Sequence, residues 1–172
     1  MYKIYRAAPV SRKGIRGLVR YIKESTGTQN DMYFDIVRFL EIQLPQLIKD
    51  FNLEIVKVSD MPNKVGETFP AECKICIRED IYNKALEGDG YARYGIAHEI
   101  GHLIINDMDS ISLCRMQTGE KFRPFEDPEW QADCFGGELL MYHPLIKDLS
   151  ADEIAEKCGV TLKAAKTQYS KI

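Results

Sequence analysis

The sequence predicts an α+β fold, a mostly helical domain in which a small β-sheet precedes one central helix. Apolar residues recur at the spacing of amphipathic helices in several segments, for example at Ile15, Leu18, Val19 and Ile22. Two short runs with Ile and Val, at 53–58 and 72–78, indicate strands shortly before a long helical segment. With 172 residues, of which 45% are hydrophobic, the chain is long enough for one domain with a substantial core.

The first half of the chain predicts two helices. The first extends over 11–26, and Gly27 suits its end. Its remaining positions are crowded with basic residues, which we interpret as a solvated outer face rather than a basic surface for an acidic partner: Arg12, Lys13, Arg16, Arg20 and Lys23. The second helix extends over about 31–50, where Pro45 would kink or divide it.

The central part of the chain predicts the sheet and the helix that follows it. The strands at 53–58 and 72–78 are separated by a turn-rich loop over 61–70, which contains two prolines and a glycine. The glycine-rich turn at 88–90 opens the central helix, predicted over about 91–105. Gly101 lies inside this helix, where it weakens the helix but permits close approach of a neighbouring backbone.

The last third predicts further helices after an irregular segment at 106–126. Asp127 suits an N-cap and Pro128 a first helical position, so a helix should continue to about Met141. Ser150 begins a capping-box pattern for a short helix that ends at Gly159. A last helix over 161–169 gives this tail a helix-turn-helix appearance. We predict a domain over 1–146 and a dependent helical tail over 147–172.

Composition and charge exclude several classes of function. A net charge of −3 and a pI near 5.7 argue against nucleic acid or an anionic membrane as the main partner. No apolar run approaches the roughly 18 residues of a membrane span, and residues 1–6 lack a signal-type apolar segment. We therefore expect a cytoplasmic protein without membrane contact.

The cysteines indicate a reducing compartment rather than a disulfide framework. There are five of them, an odd number, scattered along the chain. Cys73 and Cys76 form one C-x-x-C pair, but no second pair exists to complete a metal site. Residues three apart on a strand point to opposite faces, so we interpret both as structural cysteines.

The most informative stretch is H-E-x-x-H at 98–102, which contains two of the chain's three histidines. On a helix, His98 and His102 share one face and can converge on a single metal ion. Glu99 flanks that face, where a water molecule would sit. This arrangement suits zinc-dependent peptide hydrolysis, with Glu99 as general base. Ile105 and Met108 occupy the later positions of the metzincin pattern, which excludes that class.

A third metal ligand is predicted on the helix that begins near Pro128. Glu129 and Asp133 are four residues apart and share a helical face, as in glutamate zincins. Glu129 would bind the metal, and Asp133 would accept a hydrogen bond from a ligand histidine. Small residues on this face, Ala132 and Gly136, would let the two helices approach. A glutamate at a helix start is also favoured without any metal, which leaves a second interpretation of Glu129.

Two stretches resemble the ImmA/IrrE family of metallo-endopeptidases. They are ARYGIAHEIGHL at 92–103 and EWQADCFGGELLM at 129–141. The resemblance implies a zincin-like domain with one zinc ion per chain, bound by His98, His102 and Glu129. It also implies an intracellular protease whose substrate is a protein, such as a helix-turn-helix repressor of a mobile element or stress response.

Two candidate oxyanion-stabilising residues and two rival functions accompany this interpretation. Related sites use a histidine or tyrosine to stabilise the oxyanion, and Tyr142 and His143 are the candidates because they follow the ligand helix. The first rival is a non-hydrolytic zinc-bound regulator that inactivates a partner by binding. The second is a DNA-binding tail, which its acidic residues argue against: Asp152, Glu153 and Glu156.

Overall fold

The computed structural model describes residues 5–107, 114–115 and 123–172 of the chain. The strands are β1 (Tyr5–Arg6), β2 (Asn52–Val56), β3 (Gly66–Phe69), β4 (Lys74–Arg78) and β5 (Cys114–Arg115). The α-helices are α1 (Arg12–Thr26), α2 (Ile36–Arg38), α3 (Leu44–Leu47), α4 (Glu79–Leu86), α5 (Gly90–Asp107), α6 (Pro128–Leu140), α7 (His143–Ile146), α8 (Ala151–Cys158) and α9 (Leu162–Tyr169). The predicted α+β fold is confirmed, and the small sheet precedes the central helix α5.

The helix boundaries follow the capping residues closely. Ser11 accepts a hydrogen bond from the Gly14 N–H at 3.1 Å and starts α1, and Gly27 ends it with a left-handed φ of 70°. Asp127 caps α6 through the Glu129 N–H at 2.9 Å. The capping box at Ser150 starts α8, as predicted.

The predicted helix over 31–50 is wrong in its start, whereas its expected interruption is observed. Helical structure begins only after Asp35, whose carboxylate accepts from the Arg38 N–H at 3.0 Å. A π-helical turn over Phe39–Gln43 then separates α2 from α3. Pro45 has no N–H to donate to the preceding turn, so the regular hydrogen-bond pattern is interrupted there.

The sheet has the order β2-β4-β3, with β2 parallel and β3 antiparallel to β4. The prediction of a loop over the whole of 61–70 is wrong for β3, a strand of only four residues between two prolines. Helix α4, which directly follows β4, was not predicted. It buries Ile81 and Ala85, four residues apart, against the core.

The tail after Lys147 shares the core of the rest of the chain. Arg93 of α5 is buried and donates to the carbonyls of Phe34, Cys158 and Gly159 at 2.9 to 3.1 Å. The start of α5 also lies against the turn between α8 and α9, because a Cβ on Gly90 would come within 2.8 Å of Thr161 N. Helices α8 and α9 therefore support the central helix.

The prediction that the basic residues of α1 form a solvated outer face is wrong for three of them. Arg12 and Arg16 form ion pairs with the buried carboxylate of Glu138 on α6, at 2.8 and 3.0 Å. Lys23 is completely buried, whereas Lys13 and Arg20 are exposed. Helix α1 packs against α6 through a partly charged face, which the apolar pattern alone did not indicate.

The ammonium group of Lys23 lies in an unusual environment, beside two aromatic rings. Its Nζ lies 4.2 Å from the ring centroid of Phe34 and 5.2 Å from that of Tyr142, and it has no hydrogen-bond partner in the described part of the chain. Burial lowers the pKa of Lys23 to about 8, because it disfavours the charged ammonium more than the negative charge of Asp31 favours it. The folded state thus holds this proton less tightly than the unfolded chain does.

We expect Lys23→Met to raise the free energy of unfolding at pH 7 by about 1–3 kcal/mol, after allowance for the lost cation–π contacts. Below pH 8, Lys23 is charged in both states and the folded state bears the full cost of burial. Between pH 8 and 10.5 the folded protein loses the proton first, so this cost fades as pH rises. Urea unfolding at pH 7 and 10 measures both effects, with exposed Lys13→Met as control. A variant less stable than wild type at pH 7 would contradict this account.

The cysteines whose side chains are described form no disulfide. These four residues are free thiols: Cys73, Cys76, Cys134 and Cys158. Cys76 is buried within the sheet. Within the described residues, no helix combines the length and the apolar character needed to cross a membrane.

Candidate active site

Helices α5 and α6 bring three potential metal ligands together. His98 and His102 lie one turn apart on α5, and Glu129 lies in the first turn of α6. The two Nε2 atoms are 3.0 Å apart. Glu129 Oε2 lies 3.2 Å from His98 Nε2, and Glu129 Oε1 lies 3.2 Å from His102 Nε2. Three side chains that can bind a cation therefore converge on one point.

The geometry fits a four-coordinate metal. Ligand atoms about 2.0–2.1 Å from a tetrahedral zinc ion lie about 3.3–3.4 Å from one another. The three separations of 3.0 to 3.2 Å are close to that value. Glu129 is also 70% exposed, so the side of the group that faces solvent is open for a water molecule or substrate. The residues can hold one metal ion through three ligands and leave one position free.

Asp133 fixes the orientation of His98. Its Oδ1 lies 2.8 Å from His98 Nδ1, so this nitrogen donates to the carboxylate and Nε2 faces the other ligands. Burial of His98 opposes a positive charge, but the hydrogen bonds to Asp133 and Glu129 outweigh it and raise the pKa of His98 to about 10. Hydrogen bonds from His102 and His98 hold the pKa of Glu129 well below its usual range. The group therefore attracts a cation, either a proton or a metal.

Glu99 lies in the same cleft as the three ligands. The cleft has a volume of about 620 Å³ and is lined by His98, Glu99, His102 and Glu129 together with residues of the segment 63–70 and Tyr91. Glu99 is only 7% exposed. Its Oε2 accepts a hydrogen bond from the Thr68 hydroxyl at 2.6 Å. A carboxylate with restricted access to water thus lines the same cleft as the three potential metal ligands.

A protein-family model matches more than half of the chain. The family model of the IrrE N-terminal-like domain, a family of peptidases, matches residues 52–169. The chain belongs to this family. The match includes the three-stranded sheet, helices α5 and α6 and the tail as far as Tyr169, and it leaves out β1 and α1 to α3. No curated protein sequence matches the chain.

In this IrrE-like domain, Gly101 lies at a close approach of α5 and α6. A Cβ there would lie 3.0 Å from Ala132 Cα and 3.2 Å from Phe135 Cβ, tighter than ordinary contacts. Gly136 is less constrained, because its Cβ would meet the backbone of His98 at 3.4 Å. Of the two glycines, Gly101 is the one on which the spacing of the helices depends.

Gly101→Ala is expected to lower the free energy of unfolding by about 1–3 kcal/mol, because the added methyl group must push α6 away. The same displacement would move Glu129 from the histidines and weaken metal binding. Gly136→Ala is the matched control, expected to be neutral or to stabilise by up to about 1 kcal/mol through helix propensity. Urea denaturation and zinc titration measure both effects. Equal stability of the two variants would contradict the proposed role of Gly101.

The structure does not bring Tyr142 and His143 to the IrrE-like cleft. Both line a separate cavity of about 30 Å³, together with Arg16, Arg20 and Glu138. The reason is the length of α6, which carries the chain about 17 Å along its axis from Glu129 to Leu140. The prediction that either residue stabilises an oxyanion beside the metal ligands therefore has no support in their placement.

Sequence reasoning missed the contribution of β3 to this site. Thr68 contacts Glu99, and Gly66 leaves the space that the Glu99 side chain needs, since a Cβ on Gly66 would lie 2.9 Å from Glu99 Cγ. The one sequence signal was a hydroxyl and a glycine two residues apart, which would share a face if the segment were a strand. The segment was instead predicted as a loop.

Proposed function

We propose that the chain is an intracellular zinc-dependent endopeptidase that hydrolyses a peptide bond in a protein substrate. The observation that carries this proposal is the position of Glu99, whose carboxylate lines the same cleft as His98, His102 and Glu129. A metal site alone would suit a structural role. A buried carboxylate beside a three-ligand group with an open position suits hydrolysis.

The residues at this site have different roles in the proposed reaction. When bound to His98, His102 and Glu129, zinc supplies Lewis acidity that acidifies a water molecule and polarises a carbonyl oxygen. Glu99 takes a proton from the attacking water and delivers it to the nitrogen of the leaving amine. Asp133 keeps Nδ1 of His98 protonated, so that Nε2 remains the ligand atom.

The cleft also suits an extended peptide. Strand β3 pairs with β4 along one edge, and the cleft is lined by residues of and beside β3: Asn63, Lys64, Val65, Gly66, Glu67 and Thr68. An extended substrate can add to the edge of a sheet through main-chain hydrogen bonds. The resemblance to the ImmA/IrrE family supports a helix-turn-helix repressor as the substrate protein.

The test uses the full chain, stripped of metal with EDTA and reloaded with one equivalent of zinc. A tryptic peptide library from a whole proteome is the probe, and mass spectrometry identifies newly formed termini. We expect new termini with the zinc-loaded protein and none with the EDTA-treated protein. Absence of new termini in both samples would contradict the proposal. Inactivation of a repressor without cleavage would instead support the non-hydrolytic regulator.

A further inference from the structure

We propose that Thr68 is the positioning residue of Glu99: its hydroxyl holds Oε2 and leaves Oε1 as the oxygen that accepts the proton. This inference rests on the proposed function. The Thr68 Oγ1 lies 2.6 Å from Glu99 Oε2 and 2.9 Å from the Glu99 carbonyl oxygen. A hydroxyl has one hydrogen, and 2.6 Å is the length of a charge-assisted bond to a carboxylate. The hydroxyl therefore donates to Oε2.

The strand β3 holds Glu99 from two successive inward positions. Gly66 and Thr68 are two residues apart on the strand and face the same side. Gly66 provides space for the Glu99 methylene groups, because a Cβ there would lie 2.9 Å from Cγ. Thr68 provides the hydrogen bond at the end of the same side chain. Together they define one path for the side chain from α5 to the cleft.

Burial makes this hydrogen bond important. Glu99 is 7% exposed, and Thr68 is the one described residue that donates a hydrogen bond to its carboxylate. Without that donor, no other described residue would hold the carboxylate in one orientation. A carboxylate free to rotate would face the substrate only part of the time.

In this arrangement Glu99 gains and loses one proton in each reaction cycle. Glu99 Oε1 accepts a proton from the attacking water and later releases it to the leaving amine nitrogen, so the carboxylate returns to its starting state. Thr68 keeps its own proton on Oγ1 throughout. Thr68 is thus a positioning residue, and it does not exchange a proton with the substrate.

A double-mutant cycle on the metal-free protein tests the contact without any substrate. Thr68→Val removes the hydroxyl at nearly constant volume and is expected to lower Tm by about 3–12 °C in the wild type. In the Glu99→Ala background the same change should move Tm by less than about 2 °C. Thr68→Ser should recover at least about half of the loss. Thr26→Val, which removes a hydroxyl bonded to the Ile22 carbonyl at 2.9 Å, is the control and should cost the same in both backgrounds.

Kinetics on the zinc-loaded protein tests the positioning role, with the most readily cleaved peptide of the library as substrate. We expect Thr68→Val to lower kcat about tenfold or more with KM within about twofold, and Thr68→Ser to restore most of kcat. Additive Tm changes in the cycle, or an unchanged kcat in Thr68→Val, would overturn the proposal. Coupling in the cycle with no hydrolysis by the wild type would reject the endopeptidase function and the base role of Glu99, while the structural contact would stand.

Discussion

Glu99→Gln is expected to reduce peptide hydrolysis by about 10²–10⁴-fold, or below detection, while zinc remains bound. The amide of glutamine has nearly the volume of the carboxylate and can still accept the Thr68 hydrogen bond, so the cleft should keep its shape. It cannot take a proton from water at neutral pH. The measurement is the initial rate on the library peptide together with zinc content by atomic absorption.

The control is Glu156→Gln, which makes the same chemical change at an exposed position on α8. Its rate should equal that of the wild type. Comparable turnover by Glu99→Gln and wild type would remove Glu99 as the general base. If the two proteins instead inactivated a repressor equally well and neither cleaved it, the non-hydrolytic regulator would be the better account.

Glu129→Ala is expected to weaken zinc binding by more than about 100-fold, because two histidines alone leave the site with too few ligands. Glu129 is 70% exposed, so the loss of its contacts with His98 and His102 should lower the Tm of the metal-free protein only modestly. In the wild type, zinc should raise Tm because the metal binds the folded state. In the variant, this increase should disappear at the same zinc concentration.

Competition with a chromophoric chelator measures the zinc affinity, and differential scanning calorimetry measures the two Tm values. Glu156→Ala is the matched control and should bind zinc as the wild type does. Zinc affinity that is indifferent to Glu129 would mean that the exposed carboxylate is only a favourable residue at a helix start. The third ligand would then have to be sought elsewhere.

The features of the site that depend on local periodicity were predictable from the sequence. His98 and His102 share a face because they are four residues apart, and the same spacing places Glu129 beside Asp133. Capping residues marked the starts of α1, α6 and α8 because their side chains bond the first free N–H groups. These relations need no knowledge of the rest of the fold.

The remaining features depend on contacts between distant segments. Thr68 meets Glu99 across 31 positions of the chain, through a strand too short to show a clear alternation. The burial of Lys23 depends on Phe34 and Tyr142, which the helical pattern of α1 cannot reveal. The positions of Tyr142 and His143 after α6 suggest that they reach the cleft, but that helix leads away from it.

Strand β3 is an edge strand of the three-stranded sheet, and its form also affects whether copies of the protein aggregate. An unpaired strand border can pair with another molecule and start aggregation, and proteins limit this with short strands, proline and charge. Strand β3 has all three: it is four residues long, Pro70 follows it directly, and the ion pair of Lys64 and Glu67 lies at 2.6 Å beside its start. The short, charged edge of β3 therefore limits aggregation on the side of the sheet that lines the cleft.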